Sequence, residues 1–184
     1  MPSFDTRVPA VLVRLDRNPF HHGTLGAVRS LGRAGIPVHA VVESRTGPVA
    51  RSRHLRSVRP GPASSAELAD FLLRVGDEVS EGSAAPLLAV PLDDVTALAL
   101  ARRRAELTPR FLLPEQTEAQ LLRVADKAAL AETCAALGLP HPRTALPTGA
   151  DEAAAMAWAL GLPVVAKWSR PWLLAAGAGL GCSS

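Results

Sequence analysis

The sequence predicts an α/β chain: an open, mostly parallel sheet with helices on its faces, followed by a second and incomplete α/β lobe. Three observations carry this expectation. Short Val- and Leu-rich runs alternate with segments whose apolar residues recur at helical spacing, the order of elements that builds a parallel sheet. The runs are nearly continuous in apolar residues, as in strands buried on both faces. After Pro114 the texture changes to a long Ala-, Leu- and Glu-rich stretch, which puts a domain boundary near residue 115 and gives domains of 1–114 and 115–184.

Taken in order, residues 8–15 read as the first strand. Asn18, Pro19, Gly23 and Gly26 then supply turn chemistry, and Leu25, Val28 and Leu31 repeat at helical spacing until Gly35 ends the pattern. Residues 36–44 form a second strand, completing a βαβ unit. Residues 45–62, rich in Arg, Ser, Gly and Pro, read as an exposed connection with a short strand at "HLRSVRP". Ser64 or Ser65 caps a helix that carries Leu68, Phe71, Leu72 and Val75, and residues 76–86 read as a loop. "LLAVPLDD" is a strand that opens into a helix ending near Leu107, with Asp93 and Asp94 as its caps, and "RFLLP" is the last strand of this half.

In the second half, "EQTEAQLLRVADKAALAETCAALGLP" is helical and broken near Asp126, whose carboxylate can cap the second helix by accepting from backbone N–H groups. Gly138 stops that helix and an extended segment follows. A third helix starts near Thr148 and Asp151 and stops at Gly161, and Pro163 leads into a strand over 164–168.

Composition excludes several function classes. With 184 residues, 48% hydrophobic and 20% charged, the chain is globular rather than disordered. The net charge is +3 and the pI about 9.5, but the arginines are dispersed and aromatics make up 4%, so neither a basic stripe nor a stacking platform for nucleic acid is present. Cys134 and Cys182 form neither a disulfide framework nor a zinc site. No stretch reaches the roughly 18 apolar residues of a membrane span, and the N-terminus does not read as a signal peptide. A cytoplasmic location is expected.

Lysine usage is the sharpest compositional feature. Of 20 basic residues 18 are Arg, and the only lysines are Lys127 and Lys167. A compact ammonium on a flexible stem can meet a phosphate in a pocket too narrow for a planar guanidinium. His21 and His22 read as solvated loop residues, Arg102, Arg103 and Arg104 as a solvated helix face, and "GTLG" is too short for a dinucleotide fingerprint.

The order "ADKAALAETCAALGLPHPRTALP", "ALGLPVVAKWSRP", "GAGLG" resembles the opening of the ATP-grasp fold, the superfamily of biotin carboxylase, carbamoyl phosphate synthetase and the D-alanine ligases. There a Lys begins the first helix after the boundary, a G-x-P-x-P segment follows, and a second Lys ends a P-V-V-x-K strand ahead of a glycine-rich loop. Lys127 and Lys167 match those two positions. The resemblance covers residues 115–181 through motifs and residues 8–114 as a compatible pre-ATP-grasp pattern, Rossmann-like in type.

That resemblance implies a ligase that activates a carboxylate as an acyl phosphate with ATP and Mg²⁺, then transfers it to an amine or thiol. Small-molecule carboxylates and amines would be its substrates. It implies that Lys167 reaches the α- or β-phosphate, that Lys127 approaches from the neighbouring helix, and that Gly177, Gly179 and Gly181 bring backbone N–H groups to the β- and γ-phosphates. The residues Trp168, Trp172, Leu173 and Leu174 separate Lys167 from those glycines, a departure from the family that leaves open which glycine covers the phosphates. The family's magnesium ligands lie beyond the part matched here, so no catalytic or metal-binding residue is assigned. The chain reads as a truncated fragment, inactive alone, and a homodimer is compatible with it. Two competing readings are a Rossmann-like sugar-nucleotide or glycosyltransferase domain, which leaves "PVVAK" and the two lysines without a role, and a non-catalytic binding or dimerisation fragment.

Overall fold

A computed structural model describes residues 5–16, 21–80 and 85–173, and the chain divides into two compact units, Met1–Glu118 and Ala119–Ser184. In the first unit β1 (Ala10–Val13), β2 (Val38–Val42), β3 (Leu55–Pro60), β4 (Leu87–Pro91) and β5 (Phe111–Leu112) form one sheet in the order β3-β2-β1-β4-β5. All four pairings are parallel, and β1, at the centre, pairs Ala10 with Val38 on one side and with Leu88 on the other. The predicted open parallel α/β sheet is therefore observed, with the weakly signalled β3 as one edge.

The continuous apolar character of β1 has the expected cause. Val11 and Val13 point into a core with Leu68, Leu72 and Val75 of α2 (Leu68–Ser80) and Leu100 of α3 (Asp94–Arg102). Leu12 points the other way, into a second core with Val28 of α1 (His22–Arg33), Val38, Ala40 and Val42. Both faces are covered, and each buried Val or Leu contributes roughly 1.5–3 kcal/mol relative to leaving it in water.

Two features of this unit differ from the sequence reading. Residues 76–80 are not loop: α2 runs through Gly76 to Ser80, whose Oγ donates to the Gly76 carbonyl at 2.7 Å. Gly76 is there for packing rather than for termination, because a Cβ at that position would stand 2.8 Å from Arg110 Cγ and 3.1 Å from the Phe111 ring. The helix after β4 is interrupted at Arg103, giving α3 and the single turn α4 (Arg104–Leu107).

The second unit contains α5 (Glu118–Ala125, whose first residue belongs to the first unit), α6 (Lys127–Ala136) and α7 (Ala150–Leu160). Gly138 at φ 64° and Gly161 at φ 89° follow α6 and α7 in the left-handed half of conformational space, as their role as stops requires. The strand expected over 164–168 is not formed. Val165 is 81% exposed, and no described strand of this unit lies alongside to supply the ladder of hydrogen bonds that a strand needs.

Candidate functional site

The break between α5 and α6 is made by Asp126, as its position predicts. Its backbone is extended, and Oδ1 accepts from the N–H groups of Ala128 at 3.0 Å and Ala129 at 3.3 Å. The same carboxylate also gathers a segment from far along the chain. Ser169 Oγ donates to Oδ1 at 2.5 Å, and Arg170 Nε donates to Oδ2 at 2.5 Å. Two backbone groups reinforce this attachment. The Lys127 N–H donates to the Ser169 carbonyl at 3.0 Å, and the Ala128 N–H donates to Ser169 Oγ at 3.2 Å.

Asp126 is buried, with its side chain 7% exposed. The hydrogen bonds from Ser169 and Arg170, aided by those from Ala129 and Ala128, hold its carboxyl well below the usual carboxylate range against the opposing effect of burial. It is therefore a fixed anion at neutral pH. Neither Ser169 nor Arg170 is singled out by the sequence pattern, in which they are two polar residues after "PVVAKW". Their importance depends on an acid 43 and 44 residues away, which no local spacing reveals.

Lys127 occupies the first position of α6, half-buried, and its Nζ donates to the Ala125 carbonyl at 2.8 Å. The ammonium thus satisfies the last carbonyl of α5, a favourable place for a cation. Lys167 lies in the exposed segment two residues before Ser169. The structure brings the backbone just after Lys167 to the backbone of Lys127, so the two lysines belong to neighbouring stretches of chain. Gly177, Gly179 and Gly181 lie outside the described residues.

The remaining sequence candidates have structural work. His21 is not a solvated loop residue: it caps α1, with Nδ1 accepting from the Thr24 N–H at 3.1 Å and meeting Thr24 Oγ1 at 2.8 Å, and His22 begins the helix. Nor are the three arginines simply solvated. Arg102 pairs with Glu118, Arg103 with Glu106 and Asp70, and Arg104 donates to the Pro114 carbonyl. Asp93 does cap α3, in a reciprocal box with Thr96, and its Oδ2 also accepts from the N–H groups of Leu15 at 2.7 Å and Asp16 at 2.8 Å. Gly149 occupies the N-cap position of α7 without a side-chain cap bond, and Thr148 donates from N and Oγ1 to Glu152 at 2.7 Å, which lowers the Glu152 pKa.

The first unit has its own cleft, of about 420 Å³, lined by Arg14, Leu15, Val42, Glu43, Gly61, Pro62 and Ala63 at the carboxyl ends of β1 to β3. Beside it the Arg14 and Glu43 side chains, 0% and 8% exposed, form an ion pair. Among the described residues no three His, Cys, Asp or Glu side chains gather as metal ligands. No described helix is long and apolar enough to cross a membrane.

No protein-family model and no curated protein matches the sequence. Solved structures do. An L-amino acid ligase from Bacillus licheniformis superposes with a TM-score of 0.50 at 13% identity, over 73% of this chain and 31% of its own. The biotin carboxylase domain of a single-chain bacterial carboxylase gives 0.49 at 20% identity, covering 83% of this chain and 34% of its own. The biotin carboxylase subunit of a pyruvate carboxylase gives 0.45 at 18%, covering 85% and 34%. This chain spans about a third of the length of each. In fold, the chain is similar to an ATP-grasp enzyme over most of its own length.

Proposed function

We propose that this chain is the nucleotide-contacting N-terminal portion of an ATP-dependent ligase that joins a small carboxylate to an amine or thiol. In this reading residues 1–114 are the pre-ATP-grasp domain and 115–184 the opening of the ATP-grasp domain. The observation that carries it is the attachment of the segment following Lys167 to the first turn of α6, where Lys127 stands. The fold likeness to an L-amino acid ligase supports the same reaction class.

The chemistry suits these residues. A substrate carboxylate oxygen attacks the γ-phosphorus of ATP, the bond to the β,γ-bridging oxygen breaks, and ADP leaves. The nucleophile then displaces inorganic phosphate from the acyl phosphate and loses a proton. Both steps depend on positioning and on neutralising phosphate charge, which is what two ammonium groups supply. Lys167 would meet the α- or β-phosphate. Lys127 would exchange its bond to the Ala125 carbonyl for a phosphate oxygen, and Gly177, Gly179 and Gly181 would offer backbone N–H groups. Mg²⁺ belongs to the reaction class, and no step is assigned to it through these residues. A reducing cytoplasm suits the thiol of Cys134, which is free.

Mg-ATP titrated into the ¹⁵N-labelled chain is expected to shift the amides of residues 127–129 and 167–170 and to leave the amides of β1 to β5 in place. Shifts confined to the sheet, or none at saturating nucleotide, would contradict the assignment.

A further inference from the structure

The segment 161–168 has little to hold it in place by packing. Every residue in it is exposed, including Val165 at 81% and Leu162 at 61%. Immediately afterwards the chain becomes anchored: Ser169 and Arg170 both donate to Asp126, and the Ser169 carbonyl and hydroxyl accept from the first two N–H groups of α6. A helix cap alone needs only the bonds from Ala128 and Ala129. It gives no reason for the second carboxylate oxygen to take a guanidinium 44 residues away.

We propose that Asp126 is a positioning residue for the nucleotide site. Its carboxylate latches Ser169 and Arg170 onto the first turn of α6, and so fixes Lys167, two residues upstream, relative to Lys127. This rests on the nucleotide reading given above and adds to it the residues that hold the two lysines in register. The geometry has two independent strands of support. One is the backbone bond from Lys127 to Ser169, which joins the lysine-bearing stretches directly. The other is the division of labour on the carboxylate, where Oδ1 serves the helix and Ser169 while Oδ2 serves Arg170. Hydrogen bonds to an ionised group in a buried place are the stronger kind, so a single acid can fix an otherwise exposed segment.

The test uses the 184-residue chain and Mg-ATP as the probe. The double variant Ser169→Ala with Arg170→Ala releases the latch from the far side and leaves the α6 cap intact, and Asp126→Asn keeps a good capping residue while removing the charge. Each is made in the wild-type background and with Lys167→Ala. Release of the latch is expected to speed hydrogen exchange at the Lys127 amide and to raise the Kd for Mg-ATP by about tenfold in the wild-type background, but by less than about twofold once Lys167 is gone, because coupled residues are non-additive.

An unchanged Kd in the latch variants, with Lys167→Ala alone still weakening binding, would overturn the positioning role and leave the nucleotide reading standing. Equal losses in both backgrounds, or unaltered exchange at Lys127, would overturn it as well. Failure of the wild-type chain to bind Mg-ATP, with the Lys127 amide still protected, would remove the nucleotide reading and this inference together.

Discussion

Lys167→Ala is expected to weaken Mg-ATP binding by about 1.5–3 kcal/mol, the range for losing a hydrogen bond to a charged group. Isothermal titration calorimetry measures this as roughly a ten- to 150-fold rise in Kd. The effect is large because the site has few cations. The sequence contains two lysines, and two of the three arginines of the second unit are engaged, Arg170 by Asp126 and Arg143 by the Ala159 and Leu160 carbonyls at the end of α7. Lys167→Arg is expected to fail in the same direction despite keeping the charge, since a planar fork does not replace a compact ammonium at a phosphate pocket. Unaltered affinity in both variants would count against the assigned role.

The second large effect is on stability. Arg14→Ala is expected to destabilise the first unit by about 3–5 kcal/mol, the cost of leaving one partner of a buried ion pair behind. Arg14 directly follows β1 and Glu43 directly follows β2, so the pair joins adjacent strand ends, with the Arg14 side chain wholly buried and that of Glu43 nearly so. Among the described residues Glu43 Oε1 has no hydrogen-bond partner, so the carboxylate depends on Arg14 for its compensation. The double replacement Arg14→Met with Glu43→Leu is expected to recover most of the loss, because it removes both charges from the buried site. Equilibrium urea unfolding checks both. A single variant as stable as wild type, or a double variant no better than the single, would contradict the description of this pair.

The contrast between what could and could not be read from the sequence follows the range of the forces involved. β1 and β2 were legible because burial on both sheet faces demands unbroken apolar runs, and "AVLV" and "VHAVV" come close to that demand. The α5–α6 break was legible because capping is local: Asp126 finds its acceptor role within three residues. Asp93 was half legible. Its cap on Thr96 is local, whereas its bonds to Leu15 and Asp16 are set by strand order.

Gly76 misled because glycine marks both helix stops and close packing, and the Arg110 side chain and Phe111 ring against it, set by tertiary structure, distinguish the two. The run at 164–168 has strand-like residues, but strand formation depends on a neighbour, and none is provided by the described residues of the second unit. Arg102 and Arg104 acquired carboxylate and carbonyl partners that tertiary structure alone selects, as did Arg103 with Asp70, whereas its pair with Glu106 is local. At the candidate site the two lysines stood out by composition, while Ser169 and Arg170 did not, since their role depends on a carboxylate more than 40 residues earlier.

Lys127 and Lys167 are proposed to face the same triphosphate, and their being the only lysines makes this directly measurable. An adenosine polyphosphate carrying a pyridoxal group, which forms an imine with a nearby amine, can be reduced in place and the chain mapped by mass spectrometry. Both lysines are expected to be labelled, and Mg-ATP is expected to protect both over the same concentration range. Labelling that ATP does not suppress, or protection of one lysine with the other reacting freely, would contradict it.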